Sequence, residues 1–118
     1  MKKLLIVEDS EHFRRLLVDM LGHYYDKIYE CSDGMEAPMA YKKIRPDCVL
    51  MDVQMEQVDG LTATRQLKYL YPDARIVLMS QFNDQELQDE ARTAGAERAI
   101  PKERIAELRT IFSNKRAN

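Results

Sequence analysis

The feature that most constrains this chain is a set of short runs that are apolar at every position. Leu4-Leu5-Ile6-Val7, Cys48-Val49-Leu50-Met51 and Ile76-Val77-Leu78-Met79 show none of the alternation expected of a strand with one face in water. Such strands are covered on both faces, which calls for a parallel sheet between two layers of helices. Segments with helical spacing separate the runs. Phe13, Leu16, Leu17, Met20 and Leu21 share one face and stop at Gly22; Ala63, Leu67 and Leu70 follow Gly60; Ile105, Leu108, Ile111 and Phe112 lie near the end. Two weaker strands are predicted, from Lys27 to Cys31 and from about Arg98 to Ile100. Another helix runs from about Met35 to Lys43, with Pro38 tolerated only in or near its first turn. A further one, capped by Asn83 or Asp84, reaches Ala94. Five repeats of strand then helix, joined by right-handed crossovers, predict a doubly wound α/β sheet whose ligand crevice lies at the carboxyl ends of its strands.

The bulk composition narrows the function classes. A chain of 118 residues has room for one domain and one core, without disulfide staples. With 18 basic and 20 acidic residues, neither a nucleic-acid-coating nor a membrane-hugging surface is expected. Cys31 and Cys48 sit inside strand-like runs and read as small buried hydrophobes. No signal peptide or membrane span is expected, because Lys2-Lys3 precedes only four apolar residues before Glu8. We therefore expect a soluble cytoplasmic domain over residues 1–118, with a polar, frayed tail from about 113 and no output domain. The seven methionines are expected to fill the core. Tyr69 and Tyr71 are expected to pack at a helix end, and His12 and His23 to be solvated helix residues. Lys102, Arg104, Arg109, Lys115 and Arg116 are expected to form a solvated face of the last helix.

The residues that stop the apolar runs are the chemically interesting ones. Glu8 and Asp9 follow the first strand, Asp52 the third, Ser80 the fourth and Lys102 the fifth. In a parallel sheet all of them emerge on one edge. Taken singly, the acidic pair is an ordinary capped turn, Asp52 a loop acid, Ser80 a strand-end hydroxyl and Lys102 a surface lysine; their joint placement is what points to a site. Two like charges about 4 Å apart repel by about 4 kcal/mol at an effective dielectric near 20. A divalent cation removes that cost, and hard oxygen ligands with an incomplete protein shell suit Mg²⁺. A carboxylate so neutralised is a usable nucleophile toward phosphorus. Lys102 and Ser80 are then placed to meet the phosphoryl oxygens.

From Lys2 to Phe112 the chain resembles a response-regulator receiver domain of two-component signalling. The resemblance rests on Val7-Glu8-Asp9, on Asp52-Val53-Gln54-Met55-Glu56-Gln57-Val58-Asp59-Gly60, on Met79-Ser80, and on Gly95-Ala96 running to Lys102. It implies a flavodoxin-like sheet in the order 2-1-3-4-5. It implies that Asp52 accepts a phosphoryl group from a phosphohistidine on a sensor histidine kinase or phosphotransfer protein, and that Glu8, Asp9, Asp52 and the backbone carbonyl of Gln54 hold Mg²⁺. Ser80 and Lys102 would read the phosphoryl group. An output domain or downstream protein would meet the last two helices and the fifth strand, and homodimerisation is compatible with the family. Gly60-Leu61-Thr62-Ala63-Thr64-Arg65 and Pro72-Asp73-Ala74-Arg75 are most similar to receivers that precede LuxR-type output domains.

Departures from the family pattern are specific. Ala99 stands where receivers carry an aromatic side chain that moves with the hydroxyl residue. Gln81 replaces a small residue beside the acceptor, where it would crowd access to Asp52 or replace a water. Glu56 stands in place of a common proline, and Pro101 precedes Lys102 rather than following it. Two other function classes remain for comparison. A receiver-like module that binds partners without phosphorylation is kept open by Ala99 and Gln81. A Mg²⁺-dependent phosphatase of the haloacid-dehalogenase type needs an acid two residues after the nucleophile, where this chain has Gln54. No Gly-rich loop follows the first strand, against nucleotide binding.

Overall fold

The computed structural model describes residues 1–117, with side chains through Ser113. Five strands alternate with five helices: β1 Lys3–Val7, α1 Glu11–Leu21, β2 Lys27–Cys31, α2 Ala37–Ile44, β3 Cys48–Asp52, α3 Gly60–Leu70, β4 Ile76–Ser80, α4 Gln85–Ala94, β5 Arg98–Pro101 and α5 Glu107–Ala117. The sheet order is β2-β1-β3-β4-β5 and every pairing is parallel. This is the predicted doubly wound, flavodoxin-like fold. The weakly apolar runs are its two edge strands, where one side of the ladder meets solvent or loops.

Alternation along the strands splits the core into two. Leu5, Val7, Val49, Met51, Ile76, Leu78 and Ala99 face α2, α3 and α4, against Ala37, Tyr41, Ala63, Leu67 and Ala91. Leu4, Ile6, Cys48, Leu50, Val77, Met79 and Ile100 face α1 and α5, against Leu17, Leu21, Leu108 and Phe112. Phe112 stands edge-on to Tyr25 with ring centroids 5.4 Å apart. Burying each large side chain contributes about 1.5–3 kcal/mol, so both layers are needed to hold the strands in register.

Local sequence explains the element ends. Ser10, Asp59 and Asp84 accept from the backbone N–H groups of Phe13, Thr62 and Leu87 and so cap α1, α3 and α4. Pro38 falls in the first turn of α2, as required, and a 3₁₀ turn over Gly34–Glu36 delays that helix to Ala37. Gly95 ends α4 with φ at 106°, a conformation that favours glycine.

Some expectations are corrected. The last helix begins at Glu107 and extends to Ala117, so residues 113–117 continue it rather than forming a tail; Asn118 lies outside the described residues. His23 sits in the turn after α1, not on a helix. Tyr71 stacks on Tyr41 at 4.6 Å, but Tyr69 is 87% exposed. Met20, Met51 and Met79 are core residues, whereas Met1, Met35 and Met39 are exposed. Both cysteines are buried and unbridged, as expected.

Candidate functional site

Strand parity selects which side chains meet. Glu8 is two residues past Ile6 and Asp52 two past Leu50, and both Ile6 and Leu50 point toward α1 and α5. The two carboxylates therefore emerge together on that side of the sheet edge. Oxygens of Glu8, Asp9 and Asp52 lie within 4.8 Å of one another. Lys102, two residues past Ile100 in a 3₁₀ turn, reaches into them. Its Nζ is 3.1 Å from Asp52 Oδ2 and 2.9 Å from Glu8 Oε1.

Burial sets the electrostatics. Glu8 is wholly buried, and that desolvation, with smaller contributions from Asp9 and Asp52, pushes its carboxyl up to about 7. Glu8 Oε2 accepts from the Ser10 N–H at 3.0 Å. Glu8 Oε1 lies at ion-pair distance from Lys102 without an aligned hydrogen bond, so it is a buried oxygen lacking a directed partner. Burial opposes the charge on Lys102, but the neighbouring Glu8 and Asp52 outweigh it and raise the ammonium above its ordinary value. Asp52 is 2% exposed; its Oδ1 accepts from the Gln54 N–H and its Oδ2 from Lys102. Two buried carboxylates and an exposed one, all hard oxygen donors within reach of one another, fit a small divalent cation. An open depression of about 480 Å³, lined by Gln54, Glu56 and Asp59 among others, reaches Asp9, the exposed member of the cluster.

The loop after β3 is fixed from behind. A Cβ on Gly60 would come within 2.9 Å of Val53 Cα and closer still to the Asp52 carbonyl oxygen, so only glycine lets α3 start against the backbone of the acidic strand. Gly34 packs against the same loop in the same way, since a Cβ there would stand 2.5 Å from the Val58 carbonyl oxygen. Between them, the Asp33 carboxylate accepts from the backbone N–H groups of Met35, Gln57 and Val58. Its partial burial works against ionisation, yet those three donors prevail and hold its carboxyl below the ordinary value.

The structure thus brings Glu8, Asp9, Asp52 and Lys102 together, and Lys102 belongs to this cluster rather than to a basic face of the last helix. Ser80 is buried at the end of β4, paired in register with Pro101. Its parity follows Ile76 and Leu78 to the opposite side of the sheet, and its Oγ accepts the Phe82 N–H at 3.0 Å. Gln81 is exposed and makes no hydrogen bond to the acids among the described residues. Ala99 is buried, and the Gln88 side chain brackets its backbone: Nε2 donates to the Ala99 carbonyl at 2.7 Å while Oε1 accepts its N–H. Sequence reasoning misses three contributors. Phe13, a plain core residue by its spacing, places its ring 4.5 Å under Lys102 Nζ, a cation–π contact of about 0.5–2 kcal/mol. Asp33 reads in sequence only as part of a turn, and Gln88 carries no signal at all.

A doubly wound sheet with an acid triad and a lysine at its switch-point edge defines a receiver-type scaffold. The chain belongs to the response regulator receiver domain family, whose profile matches residues 4–113. It is 36% identical over 101 residues to the chemotaxis protein CheY of Halobacterium salinarum, covering 86% of this chain and 84% of that one. It superposes with a TM-score of 0.86, at 26% identity, on a chain from the CheX-CheY-BeF3-Mg complex of Borrelia burgdorferi, covering 96% of this chain and 88% of the other. A LuxR-family DNA-binding response regulator from Staphylococcus aureus matches over 100% of both chains with a TM-score of 0.85 at 21% identity, a likeness of fold alone. The resemblance to LuxR-type receivers therefore gains no support beyond the fold. No described helix is long and apolar enough to cross a membrane.

Proposed function

We propose that the chain is a phospho-accepting receiver of a two-component phosphorelay, taking a phosphoryl group on Asp52 from a phosphohistidine of a sensor kinase or phosphotransfer protein. One observation carries this reading: the Glu8, Asp9 and Asp52 oxygens converge within 4.8 Å while Lys102 Nζ stands 3.1 Å from Asp52. An Asp52 oxygen forms the new P–O bond as the P–N bond breaks, and the departing imidazole keeps the electron pair and is protonated from solvent. Glu8, Asp9 and Asp52, with the Gln54 backbone carbonyl, would hold Mg²⁺, which supplies positive charge to the acids and the phosphoryl oxygens. Lys102, held charged by its neighbours, offers donors where the oxygens gather charge. Ser80 already accepts from Phe82, which leaves its own hydrogen to donate to the phosphoryl group.

The domain acts as a cytoplasmic switch of protein contacts and assists its own phosphorylation and dephosphorylation, rather than turning over an external substrate. The CheY of the Borrelia complex, bound with BeF3 and Mg, supports this assignment by likeness. In this reading the partner surface is made by α4, β5 and α5, an assignment that rests on family resemblance. Ala99 bears on how that surface learns of the phosphoryl group, not on whether Asp52 receives it.

The test is labelling with acetyl phosphate, or shifts with beryllofluoride, in Mg²⁺, comparing the native chain with Asp52→Asn by intact mass and amide spectra. We expect adduct and shifts in the native chain only. Equal labelling of both would remove Asp52 from the role, and turnover of free phosphate monoesters would favour an enzyme.

A further inference from the structure

Exposed apolar side chains gather on one flank of the molecule. Met39 on α2 is 79% exposed, Tyr69 on α3 87% and Leu70 54%, and Met35 in the turn before α2 is 57% exposed. Between the two helices runs an open groove of about 410 Å³ lined by Pro38, Arg65, Gln66, Tyr69 and Leu70, with no carboxylate in its walls. Scattered apolar residues need no explanation, but a concave apolar strip with a charged rim does. None of the residues lining the groove belongs to the acid cluster or its supports.

The two helices that wall the groove carry a single sign of charge, while Arg65 also borders a neighbouring depression lined by Glu86, Asp89 and Glu90 of α4. The chain as a whole is acidic by two charges, yet α2 and α3 contain Lys42, Lys43, Arg65 and Lys68 and not one acid. Lys68 is spent locally, since its Nζ donates to the Pro72 and Ala74 carbonyls. Lys42, Lys43 and Arg65 have no carboxylate partner among the described residues. Helical spacing aligns Lys42 one turn beyond Pro38 and Arg65 one turn before Tyr69, so each wall offers an apolar contact and a cation on one stripe.

We infer that the α2–α3 groove is a docking site for an acidic amphipathic helix of a partner protein, its apolar stripe seated on Pro38, Tyr69 and Leu70 and its carboxylates on Lys42, Lys43 and Arg65. Helix-in-groove recognition uses this combination of apolar anchors and a charged rim that fixes orientation. A second copy of this chain is a poor occupant: an isologous contact through this face would set its unpaired cations against their copies. The inference stands apart from the phosphoacceptor assignment, because no residue of that site lines the groove.

The test titrates the ¹⁵N-labelled full chain with a synthetic amphipathic helix carrying Leu on one face and Glu on the other, and with a twin in which every Glu is Lys. We expect saturable amide shifts at Met39, Arg65, Gln66, Tyr69 and Leu70 with the acidic peptide, and binding about tenfold weaker for the basic twin. Tyr69→Ala with Leu70→Ala, both exposed and so compatible with folding, should weaken the acidic peptide about tenfold. Lys42→Glu with Arg65→Glu should reverse the preference between twins. Asp52→Asn should leave every result unchanged. Absence of saturable shifts, shifts centred elsewhere, equal binding of the twins, or shifts that appear on concentrating the protein alone would each overturn the inference. So would binding of anionic phospholipid vesicles in place of the acidic peptide.

Discussion

The loop that leaves β3 and the segment that leaves β4 emerge side by side at one edge of the sheet, and they are held in opposite ways. Residues 53–59 are pinned from several sides. Val53 N–H donates to Met79, Gly60 N–H donates to Val53, and Asp33 accepts from both Gln57 and Val58. Gly34 and Gly60 let neighbouring backbone pack against that loop with no side chain between. Residues 81–84 are all exposed, and among the described residues they are held by the Phe82–Ser80 hydrogen bond and by Asp84, whose side chain caps α4 and whose carbonyl accepts from the Gln88 N–H. The acids thus sit on an over-determined backbone, while the hydroxyl side of the site borders a segment with little to hold it. In the proposed role this is a sensible division: the reacting carboxylate needs a fixed geometry, and the element that reports on it needs room to move.

The contrast can be broken by substitution. Gly60→Ala should be the most damaging, costing about 3 kcal/mol or more in urea unfolding, because the new methyl overlaps backbone that cannot yield. A cost under about 0.5 kcal/mol would show the β3 loop to be as pliant as its neighbour. Asp33→Ala should cost about 2 kcal/mol at neutral pH by stranding three N–H donors. Because the Asp33 pKa is lowered in the fold, its contribution is complete above the ordinary value of 3.8 and is lost as pH falls through the lower folded value. The stability gap between native and Asp33→Ala proteins should therefore narrow only below about pH 4; a gap that narrows on the alkaline side would contradict the assignment.

Smaller effects sharpen the other side of the comparison. Gln88→Leu should cost about 1 kcal/mol and speed amide exchange at Ala99, since the Gln88 amide is what ties α4 to the outer edge of β5. Unchanged exchange at Ala99 would mean that the bracket contributes nothing. Gln81→Ala should stay within about 0.5 kcal/mol of the native chain, as befits an exposed residue in a loosely tied segment.

What the sequence disclosed follows the same division. The inner strands were legible because burial on two faces leaves unbroken apolar runs, and strand ends followed because a polar or charged residue closes each run within a position of the strand's end. Glu8, Asp9, Asp52 and Lys102 were legible as a group because a parallel sheet delivers all strand ends to one edge. The supports were not. Asp33 meets Gln57 and Val58 across 24 and 25 residues, a relation with no periodic signature. Phe13 satisfies the apolar face of α1 whether or not a lysine lies above it. Tyr69 and Met39 have core-like chemistry, and helical spacing alone does not tell a buried stripe from an exposed one.

Strand parity has one more consequence. The two apolar clusters on either side of the sheet share no residue, so the sheet is a partition with backbone as its only common wall. Glu8, Asp52 and Lys102 open on one side of that wall and Ser80 on the other. In the proposed role, a phosphoryl group at the rim would be touched from both compartments at once. Either compartment can then be remodelled by selection without retuning the other, and sequence drift in one need leave no trace in the other.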